Sequence, residues 1–207
     1  NTSTEIHPKH LYSSTGTFTV TCNTYRKGVK NVSQKQVTIL PSPYLEASVN
    51  DTFQCLEGNN FILGDSMSIS SGYIDTFWWD MDDSTEYYVH DTSHQYSMAD
   101  TYNIMLYAVS DLGCADSVIQ PVWANPMPNA SFSINDSIQC LDGNFFQFSD
   151  SSSIAYGQLN YDWDFGDTSI NVFGGDTTHA YLQHDTFTVK LKTTSGLGCQ
   201  DSMVKST

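Results

Sequence analysis

Tyr161-Asp-Trp-Asp-Phe-Gly-Asp167, His179-Ala-Tyr181 and Asp185-Thr-Phe-Thr-Val-Lys-Leu191 are the segments whose reading decides the fold. In the first, Tyr161, Trp163 and Phe165 alternate with Asp162, Asp164 and Gly166. In the last, Phe187, Val189 and Leu191 alternate with Thr188, Lys190 and Lys192. A period of two with one wet face belongs to antiparallel strands that bury the other face. Phe18, Val20 and Cys22 keep the same period, and no segment sustains a helical one. Short strands punctuated by Gly, Asn and Asp predict β-sandwich architecture.

Moving outward, the chain repeats itself. Asn50-Asp-Thr-Phe-Gln-Cys55-Leu-Glu-Gly58-Asn returns as Asn135-Asp-Ser-Ile-Gln-Cys140-Leu-Asp-Gly143-Asn. Leu112-Gly-Cys114-Ala-Asp116-Ser117 returns at the same offset as Leu197-Gly-Cys199-Gln-Asp201-Ser202. Trp79 corresponds to Trp163, His94-Gln-Tyr96 to His179-Ala-Tyr181, and His10-Leu-Tyr12 extends the series towards the N-terminus. The expected division is 1–40 as the back part of a first repeat, 41–126 as a second, and 127–207 as a third lacking its last strand. Pro41-Ser-Pro43 and Pro126-Met-Pro128 fall at equivalent boundaries, where Pro ends strand pairing and stiffens a linker.

The net charge of −15, with only eight Lys and Arg, argues against a nucleic-acid surface and against docking on anionic membranes. No apolar run is long enough to span a bilayer as a helix. The cysteines point to an oxidising compartment. Cys55 and Cys114 are separated by the same interval as Cys140 and Cys199. One pair per repeat predicts two bridges within repeats, Cys55–Cys114 and Cys140–Cys199. The competing metal reading lacks any CxxC pair. Cys22 falls in the inward phase of its strand and is expected to be a small buried hydrophobe.

The Trp-Asp-Phe-Gly-Asp strand and turn, the His-x-Tyr and the Asp-Thr-Phe-Thr-Val-Lys-Leu strand resemble the polycystic-kidney-disease (PKD) domain. The resemblance is looser in the second repeat, where Trp79-Asp-Met-Asp-Asp83 lacks the glycine. It implies all-β architecture of tandem immunoglobulin-like, PKD-type antiparallel β-sandwiches. The Leu-Gly-Cys-x-Asp-Ser ending resembles repeats of large surface proteins of gliding Bacteroidota, commonly exported by type IX secretion. The implied role is a non-catalytic stalk or adhesin on a bacterial cell surface, with neighbouring repeats, surface glycans or proteins as partners. An accessory module of a secreted polysaccharide- or protein-degrading enzyme and a glycan-binding module are the alternatives.

Site candidates are few. Asp164 and Asp167 have the spacing of a calcium turn, and equally that of carboxylates accepting from turn amides. The second is the expectation, with no cofactor required. Trp78 neighbours the inward Trp79, so it must face outward, where with Tyr87 and Tyr88 it would offer a ligand-stacking surface. The repeated His-x-Tyr is expected to be a packed pair. No HExxH, nucleophile elbow or phosphate loop is present in the sequence. Ser66, Ser117, Ser137, Thr177 and Ser202 each follow Asp in a pattern similar to the O-glycosylation signal of exported Bacteroidota proteins. Ser117 and Ser202 are expected in exposed turns just past a bridge cysteine.

Overall fold

The structure, a computed structural model, describes residues 2–207. Asn1, first residue of the expected segment 1–40, lies outside the described residues. The strands are β1 (Gly16–Arg26), β2 (Val29–Ile39), β3 (Tyr44–Val49), β4 (Phe53–Cys55) and β5 (Phe61–Ser68). Then come β6 (Ile74–Asp80), β7 (Glu86–Tyr87), β8 (Thr92–His94), β9 (Asp100–Ser110) and β10 (Ala115–Asn125). The last are β11 (Phe132–Ile134), β12 (Phe146–Asp150), β13 (Leu159–Asp164), β14 (Thr177–His179), β15 (Thr188–Ser195) and β16 (Gln200–Ser206). The protein is all-β, with the immunoglobulin-like sandwich expected. Two compact units are formed: Asn1–Ser48, Gly64–Thr92 and Ile104–Gln120 in one, Val49–Leu63, Ser93–Asn103 and Pro121–Thr207 in the other.

In the first unit, Lys27 and Gly28 join β1 to β2 with φ of 48° and 80°. Two positive φ values make the primed turn whose twist suits a tight hairpin. Only Phe18, Val37 and Ile39 of this hairpin are even half-buried. Cys22 is therefore exposed, contrary to its inward phase, because a phase buries a side chain only where a second layer covers it. Strand β6 runs between β7 and β9, with Trp79 opposite both Tyr87 and Leu106. Trp79, Met81, Ile104, Leu106 and Ala108 are fully buried.

In the second unit, the sheets β11-β12-β14 and β13-β15-β16 contribute Phe132, Phe146, Phe148, Trp163, Val189 and Leu191 to one core with Phe165 and Tyr181. Burying such side chains stabilises by about 1.5–3 kcal/mol each. Strand β16 pairs with β15 from Thr188↔Ser206 to Thr194↔Gln200. The turn that starts it is set by Ser195, whose Oγ accepts from Cys199 N at 3.1 Å.

A polar framework accompanies the sequence repeat. Asn59 Nδ2 donates to Leu56 O and Tyr96 O at 2.6 and 2.8 Å, while its Oδ1 accepts from Tyr96 N at 2.8 Å. Asn144 does the same with Leu141 O, Tyr181 O and Tyr181 N at 2.7, 2.9 and 2.7 Å. Gln54 Oε1 accepts from Asn60 N and Gln139 Oε1 from Phe145 N, both at 2.7 Å. The His-x-Tyr pairs meet edge to face at 4.6, 4.6 and 4.7 Å for Tyr12, Tyr96 and Tyr181. Each Tyr then stacks on the next aromatic along the chain at an equivalent position, Phe18, Tyr102 or Phe187.

The cysteine pairing differs from the expectation. Cys55 bonds Cys199, with Cα atoms 5.5 Å apart, while Cys114 and Cys140 are thiols. The reason lies in β4, which pairs parallel with the end of β10, setting Cys55 opposite Asn125. Cys114 immediately precedes the 11-residue β10, so it stands about 35 Å from that end at ~3.3 Å per residue. Bridged cysteines need Cα atoms within about 7 Å. Cys140 occupies the sequence place of Cys55 and Cys199 that of Cys114, but Cys199 is bonded to Cys55 and so does not bond Cys140. Closing a loop with a sequence separation of 144 is worth about 5 kcal/mol in the chain-entropy account.

The Asn amides generate a stability prediction. Asn144→Ala leaves Tyr181 N and O without their side-chain partner and should destabilise the protein by about 2–4 kcal/mol in urea unfolding. A loss below about 0.5 kcal/mol, the low end for one hydrogen bond, would show that the amide is replaceable.

Candidate functional site

Two places concentrate chemistry, one in each unit. The first is the outward face of β6. Trp78 stands across from Tyr107 in the β6–β9 register, with ring centroids 4.4 Å apart. Tyr88 lies at 6.4 Å on the other side. Its hydroxyl donates to Glu86 at 2.6 Å, and that bond raises the Tyr88 pKa above 10.0. Tyr87 does not join them. It pairs with Trp79, and directly opposed residues share a face, so Tyr87 belongs to the inner side. The rings that come together on this face are those of Trp78, Tyr88 and Tyr107. Sequence reading missed Tyr107 because only the cross-strand register, not alternation within β6, brings it there.

In the same unit, Asp65 accepts from Asp91 N at 3.0 Å and meets His90 Nδ1 at 2.8 Å. Its side chain is almost wholly covered while His90 is largely exposed. Phe77 packs on the His90 ring at 4.3 Å. In the second unit Asp150, the repeat equivalent of Asp65, hydrogen-bonds Tyr161, and burial first, then this carboxylate, raises the Tyr161 pKa.

The second place is the turn after β13. Asp164 Oδ1 accepts from Gly166 N at 2.9 Å, and Asp167 Oδ1 from Ser169 N at 3.1 Å. The other Asp167 oxygen meets His179 Nε2 at 2.7 Å, and the His179 ring stacks on Phe165 at 4.2 Å. Burial alone would raise the Asp167 pKa, but the bonds from Ser169 and His179 outweigh it and hold the carboxyl below 3.8. Burial likewise pushes Tyr181 up to about 12, and its hydroxyl donates to Phe165 O at 2.9 Å. Gly166 has φ of +77°, and a Cβ there would meet Thr188 O at 2.7 Å. In the other unit Asp82 takes the corresponding place with φ of 63°, a left-handed conformation that Asp tolerates better than most residues. Asp80 and Asp83 again accept from turn amides, those of Asp82 and Thr85. Among the described residues no group of three or more His, Cys, Asp or Glu side chains could hold a metal ion.

The hydroxyl candidates are dispersed. Ser66, Ser117, Ser137 and Ser202 are exposed and Thr177 is half-buried. Ser117 and Ser202 lie within β10 and β16 rather than in turns. The turns end at the cysteine itself, since Ser110 N and Ser195 N already bond Cys114 O and Cys199 O at 2.8 Å.

One family model, described as PKD domain, matches residues 125–207. The matched segment is less than half of the chain. It contains β11 to β16, the Asp164–Asp167 turn, the His179–Tyr181 pair and Cys199. No curated protein matches the sequence. Among solved structures, the chain is similar to the PKD1 domain of Vibrio anguillarum Epp, with 24% identity, 39% of this chain and 90% of that chain covered, and a TM-score of 0.35. For the PKD1 domain of the Vibrio cholerae metalloprotease PrtV the values are 21%, 42%, 99% and 0.34. For the fibronectin(III)-like modules of Clostridium thermocellum CbhA they are 10%, 78%, 91% and 0.35.

The PKD-domain turn yields a pH prediction. The folded pKa of Asp167 is depressed, so its stabilisation is present above the unfolded carboxylate value and is lost as pH falls through the folded one. Unfolding curves taken from neutral pH down into the acid range should therefore show a smaller acid-induced loss for Asp167→Asn than for the parent. Identical acid slopes for the two would contradict the role given to this carboxylate.

Proposed function

We propose that this chain is a non-catalytic extracellular segment of a tandem PKD-type array, divided as 1–40, 41–126 and 127–207, that spaces or attaches a bacterial surface protein. The observation that carries this reading is the use made of the polar side chains. Asn59 and Asn144, Gln54 and Gln139, and the carboxylates of both turns hold backbone amides and carbonyls in place, and they do so in pairs. Groups engaged twice in the same construction serve a scaffold. The Cys55–Cys199 bridge supports export, because disulfides persist in oxidising compartments. Placement on the surface of a gliding Bacteroidota cell through type IX secretion is the finer form of this proposal. It is supported by the Leu-Gly-Cys-x-Asp-Ser resemblance.

A second reading, glycan binding, is favoured by the Trp78–Tyr107–Tyr88 surface, since aromatic faces stack on sugar rings. Pull-down on cellulose, chitin and mixed β-glucans separates the two. The spacer reading predicts that the parent and Trp78→Ala stay equally in solution and release no reducing sugar. Retention of the parent that Trp78→Ala abolishes would replace it with the glycan-binding one.

A further inference from the structure

We propose that Cys114 and Cys140 are the two open halves of the link already closed between Cys55 and Cys199, each taking a cysteine of an adjoining repeat. This rests on the tandem-array reading above. Cys140 stands on the frame that presents Cys55. Asn50 N and Asn135 N donate to Ile62 O and Gln147 O, both at 3.1 Å. Asn50 Oδ1 and Asn135 Oδ1 accept from Ile62 N and Gln147 N, both at 2.9 Å. Asp51 and Asp136 cap Phe53 N and Ile138 N, both at 3.0 Å.

Cys114 stands equally on the frame of Cys199. Ser110 Oγ accepts from Cys114 N and Ser195 Oγ from Cys199 N, both at 3.1 Å. Gly113 N and Gly198 N donate to Ser110 O and Ser195 O, both at 2.9 Å. Four cysteines therefore occupy two kinds of position, a front-loop one (Cys55, Cys140) and a hairpin one (Cys114, Cys199). The closed bridge joins a front-loop cysteine to a hairpin cysteine at a sequence separation of 144. That separation is the interval from Cys140 to Cys199 plus one full repeat, Cys55 to Cys140. The same rule gives Cys140 a hairpin partner in a following repeat, and Cys114 a front-loop partner in a preceding one. Among the described residues, neither thiol has a partner of the right kind at that separation. Cys140 is exposed and Cys114 half-buried, which leaves both open to attack.

The chemistry is thiol–disulfide exchange. The Cys140 thiolate attacks a small disulfide such as oxidised glutathione, and one glutathione thiolate leaves. The partner cysteine's thiolate then displaces the second glutathione. The two protein thiols lose two electrons and two protons, and the donor disulfide is reduced to two thiols.

The test extends the full chain. Thr207 is the repeat equivalent of Val122, so a copy of residues 123–207 appended directly after it continues the register. In a glutathione redox buffer, peptide mapping after alkylation of the folded protein should show Cys55–Cys199 closed in the parent, with Cys114 and Cys140 alkylated. In the extended chain Cys140 should become protected and be recovered linked to the hairpin cysteine of the copy. Cys140→Ser should return that cysteine to full alkylation. A copy that resists protease while Cys140 stays fully alkylated would overturn the inference and leave the array reading standing. A copy digested back to Thr207 would overturn both.

Discussion

Two asparagine amides set the geometry on which the remaining features depend. Asn59 and Asn144 each satisfy both a donor and an acceptor of the Tyr in the His-x-Tyr segment, and each also ties down the loop that carries a cysteine. Asn59 is buried, where an unpaired amide would cost as much as several hydrogen bonds return. Once the amide is placed, the Tyr ring is fixed against its His and against the aromatic that follows. The same amide bonds Leu56 O or Leu141 O, next to the cysteine of the front loop. The repeated tripeptide and the cysteine chemistry are thus parts of one construction.

Much of this was legible in the residues. Alternation around Trp163 and Val189 identified strands because burial of one face has a period of two. The recurrence of whole segments at one offset identified equivalent positions because each copy must solve the same packing problem. Pairing between elements was not legible. Nothing in the spacing of Cys55 and Cys114 reveals that β4 runs parallel with the far end of β10, and that register alone forbids the bridge that spacing suggested. Tyr87 and Tyr107 exchanged roles for the same reason: which side chains share a face depends on the partner strand. Cys22 shows the converse limit, since an inward phase states a direction and not a covering layer.

The two better-defined copies also differ where the sequence loosens. Trp163 Nε1 donates to Gly174 O and Gly175 O at 3.0 and 2.9 Å, whereas Trp79 Nε1 is buried without a partner among the described residues. An orphaned buried donor costs about 1–3 kcal/mol. Gly166 gives way to Asp82 at a left-handed position. Residues 125–207, the segment matched by the PKD family, keep both the glycine and the satisfied indole. The second unit thus holds its Trp strand at lower cost than the first.

The Cys55–Cys199 bridge joins one copy of the motif to the next instead of closing within a copy. Pulling the chain by its two ends in a single-molecule extension experiment tests it most directly. With Cys55 bonded to Cys199, the chain between them, a sequence separation of 144, cannot extend, so reduction should lengthen the fully unfolded chain by about 500 Å at ~3.5 Å per residue. Two bridges within repeats would withhold only the spans Cys55 to Cys114 and Cys140 to Cys199, about 400 Å in all, and would release them as two equal steps of about 200 Å. A single step of about 500 Å, the full reach of the bridged segment, supports the account, and the paired shorter steps would contradict it.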